Sequence, residues 1–340
     1  MMRNDWAKIL ENLKPGEEEI LEPNSKILIV DSLNTFMRCF AVINHLNPSG
    51  DHIGGLTGFL KSVAYAIRLT KPTKVVLVFD GQGSNTNKRY LYPEYKANRN
   101  IQPIKSWGFD SKDEEEESMV TQLTRLIDYL NNLPVHLLCI DKIEADDVIG
   151  YLSTSFENEV VIMSSDRDFL QLISDKVTVY SPTKKKFYKS EDLKNEYGVW
   201  PNNYLIYKSL LGDKNDNVPN VKSLGKGKIY KYFPELGDKE DISIDDILRI
   251  SEEKKDNKKP IYERIVNFKQ QLKINEQLMD LINPNIPGGD IQTIEKVIFN
   301  SNKTFNRNEF IKLYNEDKLG EAIPKLDFWL DDTFRYLTAF

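Results

Sequence analysis

The chain has 340 residues, of which 40% are hydrophobic and 29% are charged, and its formal net charge is −6 at pH 7. This length accommodates a full α/β domain and a second, smaller one. The longest apolar runs are strand-sized and the N-terminus lacks the apolar core of a secretory signal, so we expect neither a membrane span nor such a leader. Because Cys39 and Cys139 lie in apolar sequence without metal-ligand spacing, we expect core thiols in a reducing cytoplasm.

Residues 1–24 form an N-terminal extension. Apolar residues at helical spacing predict a short amphipathic helix there, formed by Trp6, Ile9, Leu10 and Leu13. Pro15 and Gly16 end this helix, and an acidic run at 17–19 separates it from the rest of the chain. We expect the extension to contact either a partner protein or the protein's own second domain.

Four predicted strands each end in, or just before, acidic residues, and they span residues 26–30, 74–79, 135–140 and 160–163. The acids that follow them are Asp31, Asp80, Glu144, Asp146, Asp147, Asp166 and Asp168. Helical spacing over Val148–Phe156 makes the last two strands part of a parallel strand–helix–strand unit. The ligand site of such a sheet lies outside the carboxyl ends of its strands, so these carboxylates point into one crevice. Carboxylates gathered this closely repel one another, which indicates a cation among them.

The segment from Gly81 to Gly108 is polar, basic and aromatic, although the chain as a whole is acidic. Its cations and rings are interleaved, and they are Lys88, Arg89, Lys96, Arg99 and Lys105 with Tyr90, Tyr92, Tyr95 and Trp107. Cations that hold phosphates beside rings that stack bases are typical of a single-strand path. We expect Lys88 and Lys105 to be solvated surface charges. The acidic run Asp113–Glu117 then predicts a helix start.

A second domain is predicted from about residue 191. Pro201 marks a helix start and Tyr204–Leu211 continues the helix, before Asp213 and Asp216, which are spaced one helical turn apart. A glycine-bearing turn rich in lysine follows, with Lys222, Lys226, Lys228 and Lys231. The C-terminal residues predict short helices and an aromatic tail, which we expect to pack on the protein's own second domain.

So many acids at strand ends and turns favour a divalent-metal phosphodiesterase. Two hard cations held by carboxylates can activate a water and stabilise the attacking and leaving oxygens. A glycosidase needs only one pair of carboxylates. A serine or cysteine nucleophile lacks a plausible partner, since the histidines are His45, His52 and His136.

Six motifs in order resemble those of the flap endonuclease family of structure-specific 5′ nucleases, and they are IVDSLNTFMR, VFDG, KRYLYPEYKANR, EADD, SSDRDFLQL and GDKNDNVP. Within that family the chain is most similar to the free-standing phage ribonuclease H or 5′→3′ exonuclease. The resemblance implies an α/β domain with a mainly parallel central sheet, flanking helices and a helical arch. A helical domain that contains a helix–three-turn–helix follows. The implied domains are the extension 1–24, a nuclease domain 25–190 with the arch at about 83–120, and a duplex-binding domain 191–340.

By motif, the resemblance also implies the metal ligands and catalytic residues. Asp31, Asp80, Glu144 and Asp146 form a first metal site, with Asp166 shared or near it, and Asp168, Asp213 and Asp216 complete the second site. Asp147 follows the EAD core at a place that the family varies and is a further candidate ligand. The catalytic set is Asp31, Asp80, Glu144, Asp146, Asp166, Lys96 and Arg99. The implied cofactors are two Mg²⁺ ions, for which Mn²⁺ can substitute.

The same resemblance implies nucleic-acid contacts. Lys96 and Arg99 steady the scissile phosphate from the foot of the arch, Tyr95 stacks on a terminal base, and Arg89 adds a cation. The helix–three-turn–helix grips duplex phosphates and can hold a monovalent cation, through Gly225, Lys226 and Lys228. The sequence departs from the family pattern there, with Asn220 and Ser223 in place of glycines and Gly227 where a lysine is common.

The implied function is a structure-specific 5′→3′ exonuclease and flap endonuclease of ribonuclease H type, which removes RNA primers during DNA replication. The expected substrates are RNA–DNA hybrid, nicked DNA and 5′-flap DNA, and the expected protein partners are a sliding clamp and a single-strand-binding protein. We expect a cytoplasmic monomer, encoded by a phage and working in its host cell, without membrane association.

Two rival functions stay open. A related metal-dependent single-strand endoribonuclease needs no duplex-binding domain, whereas this sequence predicts one. A catalytically inactive DNA-structure-binding protein should have lost motif acids, and all of them are present.

Overall fold

The computed structural model of the protein describes residues 26–98, 108–255, 259–300 and 304–339. Within these residues six strands form one sheet. They are β1 (Ile27–Asp31), β2 (Lys74–Asp80), β3 (His136–Ile140), β4 (Val160–Met163), β5 (Val177–Ser181) and β6 (Lys186–Tyr188). Their order across the sheet is β3-β2-β1-β4-β5-β6, and all neighbours are parallel except β5 and β6.

Helices cover both faces of this sheet. They are α1 (Ser32–Val42), α2 (Gly54–Thr70), α3 (Thr86–Leu91), α4 (Lys112–Leu130), α5 (Ala145–Ser155), α6 (Ser190–Tyr197), α7 (Pro201–Leu211), α8 (Lys226–Tyr232), α9 (Ile244–Lys254), α10 (Pro260–Asn267), α11 (Lys269–Met279), α12 (Gly288–Asn300), α13 (Arg307–Glu316) and α14 (Leu326–Phe334). Short 3₁₀ turns lie at Asp168–Leu172, Pro234–Gly237, Gly320–Ala322 and Arg335–Ala339.

Alternate residues of the central strands face opposite sides of the sheet, and both sides are buried. Ile29 and Val78 face a core to which helices α5 to α12 contribute, whereas Leu28 and Leu77 face α1, α2, α4, α13 and α14. Apolar residues on both faces are typical of a parallel sheet with helices on either side. The predicted fold class, a mainly parallel α/β sheet with flanking helices, is confirmed.

The strand register brings the acidic loops to one edge of the sheet. Met163 of β4 lies beside Val30 of β1, and Asp31 lies beside Val78 of β2. The predicted strands agree with β1, β2, β3 and β4 to within one residue at either end. Because these strands are parallel, the segments that follow them leave the sheet on the same side.

The predicted division near residue 190 falls inside a continuous apolar core. One cluster of buried side chains extends from Ile29 and Val78 of the sheet to Tyr204 of α7 and Ile265 of α10. The domain boundaries stay a prediction, but the two halves share this core.

The aromatic tail packs on the protein, against helices of both predicted domains. Trp329, Leu330 and Phe334 of α14 are buried in the core that contains α2 and α4. The Arg68 guanidinium of α2 also donates a hydrogen bond to the Thr333 hydroxyl. Trp329 also packs against Phe310 of α13, with ring centroids 6.3 Å apart. The tail therefore contacts the predicted second domain, as expected, and the α/β half as well.

Cys139 is exposed, whereas its apolar neighbours in the sequence predict burial. It lies near the end of β3, which is an edge strand, so the helical layers do not cover it. Cys39 is buried, as expected. The predicted N-terminal helix lies outside the described residues. In the described parts of the chain, no helix combines the length and apolarity needed to cross a membrane.

Candidate metal centre and nucleic-acid interface

Asp31 and Asp166 follow neighbouring strands and share a serine. Asp31 is the N-cap of α1, and its Oδ1 accepts a hydrogen bond from the Asn34 N–H at 3.4 Å. The Ser164 hydroxyl donates to Oδ2 of Asp31 at 2.7 Å and accepts from the Asp166 N–H at 2.9 Å. The Asp166 carboxylate accepts from the Asp168 N–H at 2.9 Å. Ser164 therefore links the ends of β1 and β4.

Asp80 and Asp146 lie at the same edge, beside the N-terminus of α5. Asp80 ends β2, and its Oδ1 accepts from the Ala145 N–H at 3.0 Å. Ala145 begins α5, so Asp146 lies in the first turn of that helix. The helix dipole favours carboxylates at this position.

These four acids form one electrostatic group. Burial raises the pKa of Asp31 to about 7, and repulsion from Asp166 and Asp80 adds to the increase. The pKa of Asp146 is raised by burial first, and then by Asp31 and Asp166. A cation among such carboxylates removes their repulsion, so the group favours a bound positive charge.

Glu144 is buried and contacts three donors from α3 and the turn after it, a segment (residues 86–98) that we name the arch foot. The Lys88 ammonium and the Tyr95 hydroxyl lie 2.9 and 3.0 Å from Oε2, and the Lys96 ammonium contacts Oε1. Burial alone raises the pKa of Glu144, but Lys88 and Lys96 outweigh it and lower the pKa to about 2. Lys88 also lies 2.9 Å from Asp147. Glu144 and Asp147 are therefore neutralised from within the protein.

Lys208 of α7 joins two acids that the resemblance assigns to the second metal site. Its ammonium lies 2.7 Å from Asp168 and 2.9 Å from Asp213. Burial raises the pKa of Asp168 in spite of Lys208. At Asp213 burial acts in the same direction, but Lys208 outweighs it and the pKa is lowered. Lys208 therefore ties the loop after α7 to the end of β4.

Asp213 and Asp216 lie in that loop and not on a helix, although their spacing is that of one helical turn. Asp213 and Val218 exchange two backbone hydrogen bonds, at 2.9 and 2.7 Å. The Asp216 carbonyl accepts from the Lys96 N–H at 2.9 Å. The loop is thereby bound to the arch foot.

A cavity of about 430 Å³ lies between the acids of the two halves. Its lining includes Asp166, Asp168, Asp213, Asp216, Asn34, Arg167, Tyr197, Tyr204, Tyr207, Lys208 and Lys226. A larger cavity, of about 710 Å³, lies between α4 and the loop before α2 and contains none of the predicted ligands. Size alone therefore does not locate the site, whereas the acids do.

The acids fit a divalent metal by donor type. Among the residues that the structure describes, no three histidine, cysteine or acidic side chains are grouped as metal ligands. However, every candidate is a carboxylate, the ligand that Mg²⁺ and Mn²⁺ prefer. Burial raises the pKa values of Asp31 and Asp146, and repulsion from neighbouring acids adds to both increases. The nine ligand assignments stay predictions.

The arch foot differs in detail from its expected role. Lys88 is not a solvated surface charge, because its side chain is 13% exposed and paired with two acids. Tyr95 is buried with its hydroxyl on Glu144, so its ring does not face a base-binding surface here. The Arg89 guanidinium donates to the carbonyls of Tyr95 and Lys96, at 3.0 and 3.2 Å. Arg89 therefore holds the turn that carries Lys96.

Two further basic candidates, Arg99 and Lys105, lie outside the described residues. The predicted role of Arg99 at the arch rests on the sequence motif, and Lys105 was expected to be a solvated surface charge.

The segment that resembles the helix–three-turn–helix precedes α8. Gly225 is the N-cap of this helix, and Lys226 and Lys228 are exposed in its first turn. Ser223 has φ of 68°, in the left-handed region that favours glycine. This is one of the positions where the family pattern has glycine, so the serine keeps the backbone path at a conformational cost.

Lys88 and Lys208 contact the candidate ligands, but the sequence did not predict either of them as a site residue. A signal existed for Lys88, which opens the quoted KRYLYPEYKANR motif. For Lys208 the signal was weaker, because its partner Asp168 lies forty residues earlier in the chain. Such pairing depends on the tertiary fold.

Most of these acids lie in a segment with an identifiable family. Residues 26–198 match a family model described as the 5′-3′ exonuclease, N-terminal resolvase-like domain. The chain belongs to the 5′-3′ exonuclease family. It is therefore a nuclease, and the predicted membership of the flap endonuclease group of 5′ nucleases is confirmed.

Curated relatives agree with this family. The 5′-3′ exonuclease of Bacillus subtilis is 34% identical over 223 residues, which are 62% of this chain and 71% of that protein. The DNA polymerase I of Caldicellulosiruptor bescii is 31% identical over 273 residues, which are 75% of this chain. The match covers 30% of that polymerase. The 5′-3′ exonuclease family thus includes chains of this size and parts of longer ones.

Solved structures share the fold. A T5 5′-exonuclease with bound zinc has a TM-score of 0.62 at 18% identity, and the match covers 86% of this chain and 98% of that one. A bacteriophage T5 flap endonuclease complex with DNA and metal ions also has a TM-score of 0.62 at 18% identity, covering 86% of this chain and 97% of that one. At this identity the likeness shows the fold of the 5′-3′ exonuclease family.

Proposed function

We propose that this protein is a structure-specific 5′→3′ exonuclease and flap endonuclease that removes RNA primers during DNA replication by two-metal-ion hydrolysis. The observation that carries the proposal is the group of carboxylates at the carboxyl edge of the sheet, in which Asp31 and Asp146 have raised pKa values. A site that cleaves an anionic phosphodiester needs cations, and this group provides ligands for them.

The proposed ligands follow the two sets of acids. Asp31, Asp80, Glu144, Asp146 and Asp166 would hold the first Mg²⁺ or Mn²⁺, and Asp168, Asp213 and Asp216 would hold the second. When bound, these ions lower the pKa of a water molecule and neutralise charge on the phosphate. Divalent metal in the T5 structures supports this choice.

The chain's own cations would position the phosphate. Lys96 brings an ammonium group to the edge of the carboxylates, and Arg99 follows it in the same motif. We propose that Lys96 exchanges Glu144 for the scissile phosphate when nucleic acid binds, since a phosphate is a stronger acceptor of charge-assisted hydrogen bonds near solvent. Arg89 would hold the backbone of Lys96 in place through its hydrogen bond to the Lys96 carbonyl.

The segment before α8 would bind the duplex part of the substrate. Lys226 and Lys228 are exposed beside the N-terminus of α8, where unpaired backbone N–H groups favour phosphate. Such contacts position the duplex without reading its sequence, as a nuclease that recognises structure requires. The DNA bound in the T5 flap endonuclease complex supports a nucleic-acid substrate.

The biological role extends this proposal. DNA polymerase I relatives favour replication as the setting, with RNA–DNA hybrid, nicked DNA and 5′-flap DNA as substrates. We propose that the protein acts as a monomer, and that residues 1–24 provide the contact to a sliding clamp or single-strand-binding protein.

The direct test is a cleavage assay. A 5′-labelled DNA flap and a 5′-labelled RNA primer on a DNA template are incubated with the protein in Mg²⁺, in Mn²⁺ or in EDTA, and the products are sized on a gel. We expect cleavage of both substrates near the 5′ end with either metal, and none in EDTA. Intact substrates in both metals, or cleavage that persists in EDTA, would contradict the proposal.

A further inference from the structure

The adjacent acids Asp146 and Asp147 have different neighbours. The pKa of Asp146 is raised by burial first and then by Asp31 and Asp166, the acids that follow β1 and β4. Burial raises the pKa of Asp147, and among its charged neighbours Lys88 has the largest effect, which opposes this increase. Successive residues of an α-helix point about 100° apart, and here that angle separates a group of acids from a lysine.

Lys88 joins the arch foot to the first turn of α5. Its ammonium lies 2.9 Å from Glu144 Oε2 and 2.9 Å from Asp147 Oδ1. The Lys88 and Asp147 side chains are 13% and 12% exposed, so the pair is largely removed from water. A buried ion pair constrains geometry strongly, because either charge alone would be left uncompensated.

Helix α3 needs such an attachment. It has six residues and buries none of them, so it cannot be stable by itself. Lys88 lies on this helix, and the turn that follows it carries Tyr95 and Lys96. The position of α3 therefore determines where Lys96 lies relative to the carboxylates.

We propose that Asp147 is the anchor of Lys88 and not a metal ligand, and that the Lys88–Asp147 pair positions α3 and the turn that carries Lys96. The role of the positioned turn rests on the proposed nuclease function, whereas the pair itself does not. Asp147 and Lys88 are positioning residues that act through Lys96.

A divalent cation would then affect the contacts of Glu144 but not those of Asp147. Lys88, Tyr95 and Lys96 all bind Glu144, so a cation that ligates Glu144 competes with the two ammonium groups by repulsion. If Lys88 keeps its contact with Asp147 during this competition, α3 remains attached. The anchor therefore allows the site to bind metal while the arch foot stays attached to α5.

The test measures local opening and metal affinity separately, in the full-length protein without nucleic acid. Amide hydrogen exchange is followed in peptides that cover residues 86–98, and Mn²⁺ binding is measured by calorimetry after removal of metal with EDTA. The variants are Asp147→Asn, Lys88→Met, the double variant and Lys88→Arg. Matched controls are Glu157→Gln and Lys112→Met, which remove one exposed charge each elsewhere.

We expect Asp147→Asn and Lys88→Met each to speed exchange of residues 86–98 by about tenfold or more, because each leaves one charge in excess among Lys88, Lys96, Glu144 and Asp147. The double variant should exchange no faster than the faster single variant, since both changes remove one interaction. Lys88→Arg should restore protection. Asp147→Asn should leave the Mn²⁺ dissociation constant within about twofold of the wild-type value, because no ligand is lost.

Other results would overturn the anchor. Exchange at 86–98 that equals that of the controls, or additive effects in the double variant, would show that the pair does not hold α3. A loss of Mn²⁺ affinity of about tenfold or more in Asp147→Asn would make Asp147 a ligand. Exchange in α5 reports whether a variant has merely unfolded that helix. A wild-type protein that binds no Mn²⁺ would contradict the proposed function, while the exchange results would still decide the anchor.

Discussion

The acids of the candidate site differ in how their charge is compensated. Lys88 and Lys96 neutralise Glu144, and Lys208 neutralises Asp213, so the pKa values of both acids are lowered. Asp31 and Asp146 have raised pKa values instead, because burial and neighbouring acids outweigh every favourable contact. All four stay proposed ligands, but the charges of Asp31 and Asp146 have less compensation from the protein and are stabilised more by a bound cation.

The assignment of the strand-end acids predicts a separation of cleavage from binding. Asp80→Asn and Asp166→Asn should each reduce cleavage by about 100-fold or more, since each removes a carboxylate proposed to hold metal. Duplex binding should remain, because its proposed contacts lie near α8. Single-turnover cleavage and equilibrium binding to a flap substrate, both in Mg²⁺, measure the two quantities.

A matched control is Asp175→Asn, which removes an exposed acid that is not one of the predicted metal ligands. It should cleave at the wild-type rate. Near-normal turnover of Asp80→Asn or Asp166→Asn in Mg²⁺ would show that the acid in question is not a ligand.

A buried hydroxyl near the C-terminus predicts an effect of alkaline pH on stability. Tyr336 Oη is buried without a hydrogen-bond partner among the described residues, and burial raises the pKa of Tyr336 to about 12. Between about pH 10 and 12 the unfolded chain loses this proton while the native state keeps it, so wild-type stability falls with pH. Tyr336→Phe removes this loss.

Urea unfolding at pH 7 and at about pH 11, one unit above the ordinary tyrosine pKa, measures this effect. We expect Tyr336→Phe to be neutral or stabilising at pH 7, because it removes an unpaired buried polar group. Its advantage over wild type should grow as the pH rises. A constant difference at all pH values would show that Tyr336 titrates normally.

At the scale of elements, the pattern of apolar runs followed by acids was sufficient to locate β1, β2, β3 and β4. Parallel strands that are buried on both faces have continuous apolar sequences, so the first acid after each run marks the end of the strand. The exposure of Cys139 was not predictable in this way, because it depends on β3 being the edge strand. The contacts of Lys88 depend in the same way on how α3 packs against α5.

The C-terminal helix was also predictable only in part. Its aromatic residues indicate burial, but the sequence does not say against which half of the molecule. The hydrogen bond from Arg68 to Thr333 and the burial of Trp329 place α14 on α2. Contacts between residues so far apart in the chain are not encoded in local periodicity.

Adjacent aromatic residues of α14 provide a matched test of this packing. Trp329 is 8% exposed and Phe328 is 66% exposed. Trp329→Ala should lower the free energy of unfolding by about 3–5 kcal/mol, because it leaves a cavity beneath α14. Phe328→Ala should change it by about 0.5 kcal/mol or less. Urea unfolding followed by circular dichroism measures both, and equal effects would mean that α14 is not attached through Trp329.

At the scale of the whole molecule, the shared core predicts that the two halves unfold together. Ile265 of α10 is fully buried in the same cluster as Ile29 of β1. Ile265→Ala should destabilise the protein by about 2–5 kcal/mol, and the loss should appear equally in the slowest-exchanging amides of α10 and of β1. Glu263→Ala, an exposed change on the same helix, is the control. A loss confined to α10 would show that the halves unfold independently.

The core that passes from the sheet into α7 and α10 also connects substrate binding to the rigidity of the carboxylates. A ligand that binds only the native state stabilises every part of a cooperative unit, by about 2.7 kcal/mol at a concentration 100 times its dissociation constant. Duplex held near α8 would therefore reduce the opening of β1 and β4, to which it makes no contact. The reverse also holds, so cations at the strand ends would reduce the opening of α8, which they do not contact. Metal and duplex would each protect the whole cooperative unit against local opening, including the parts that neither of them touches.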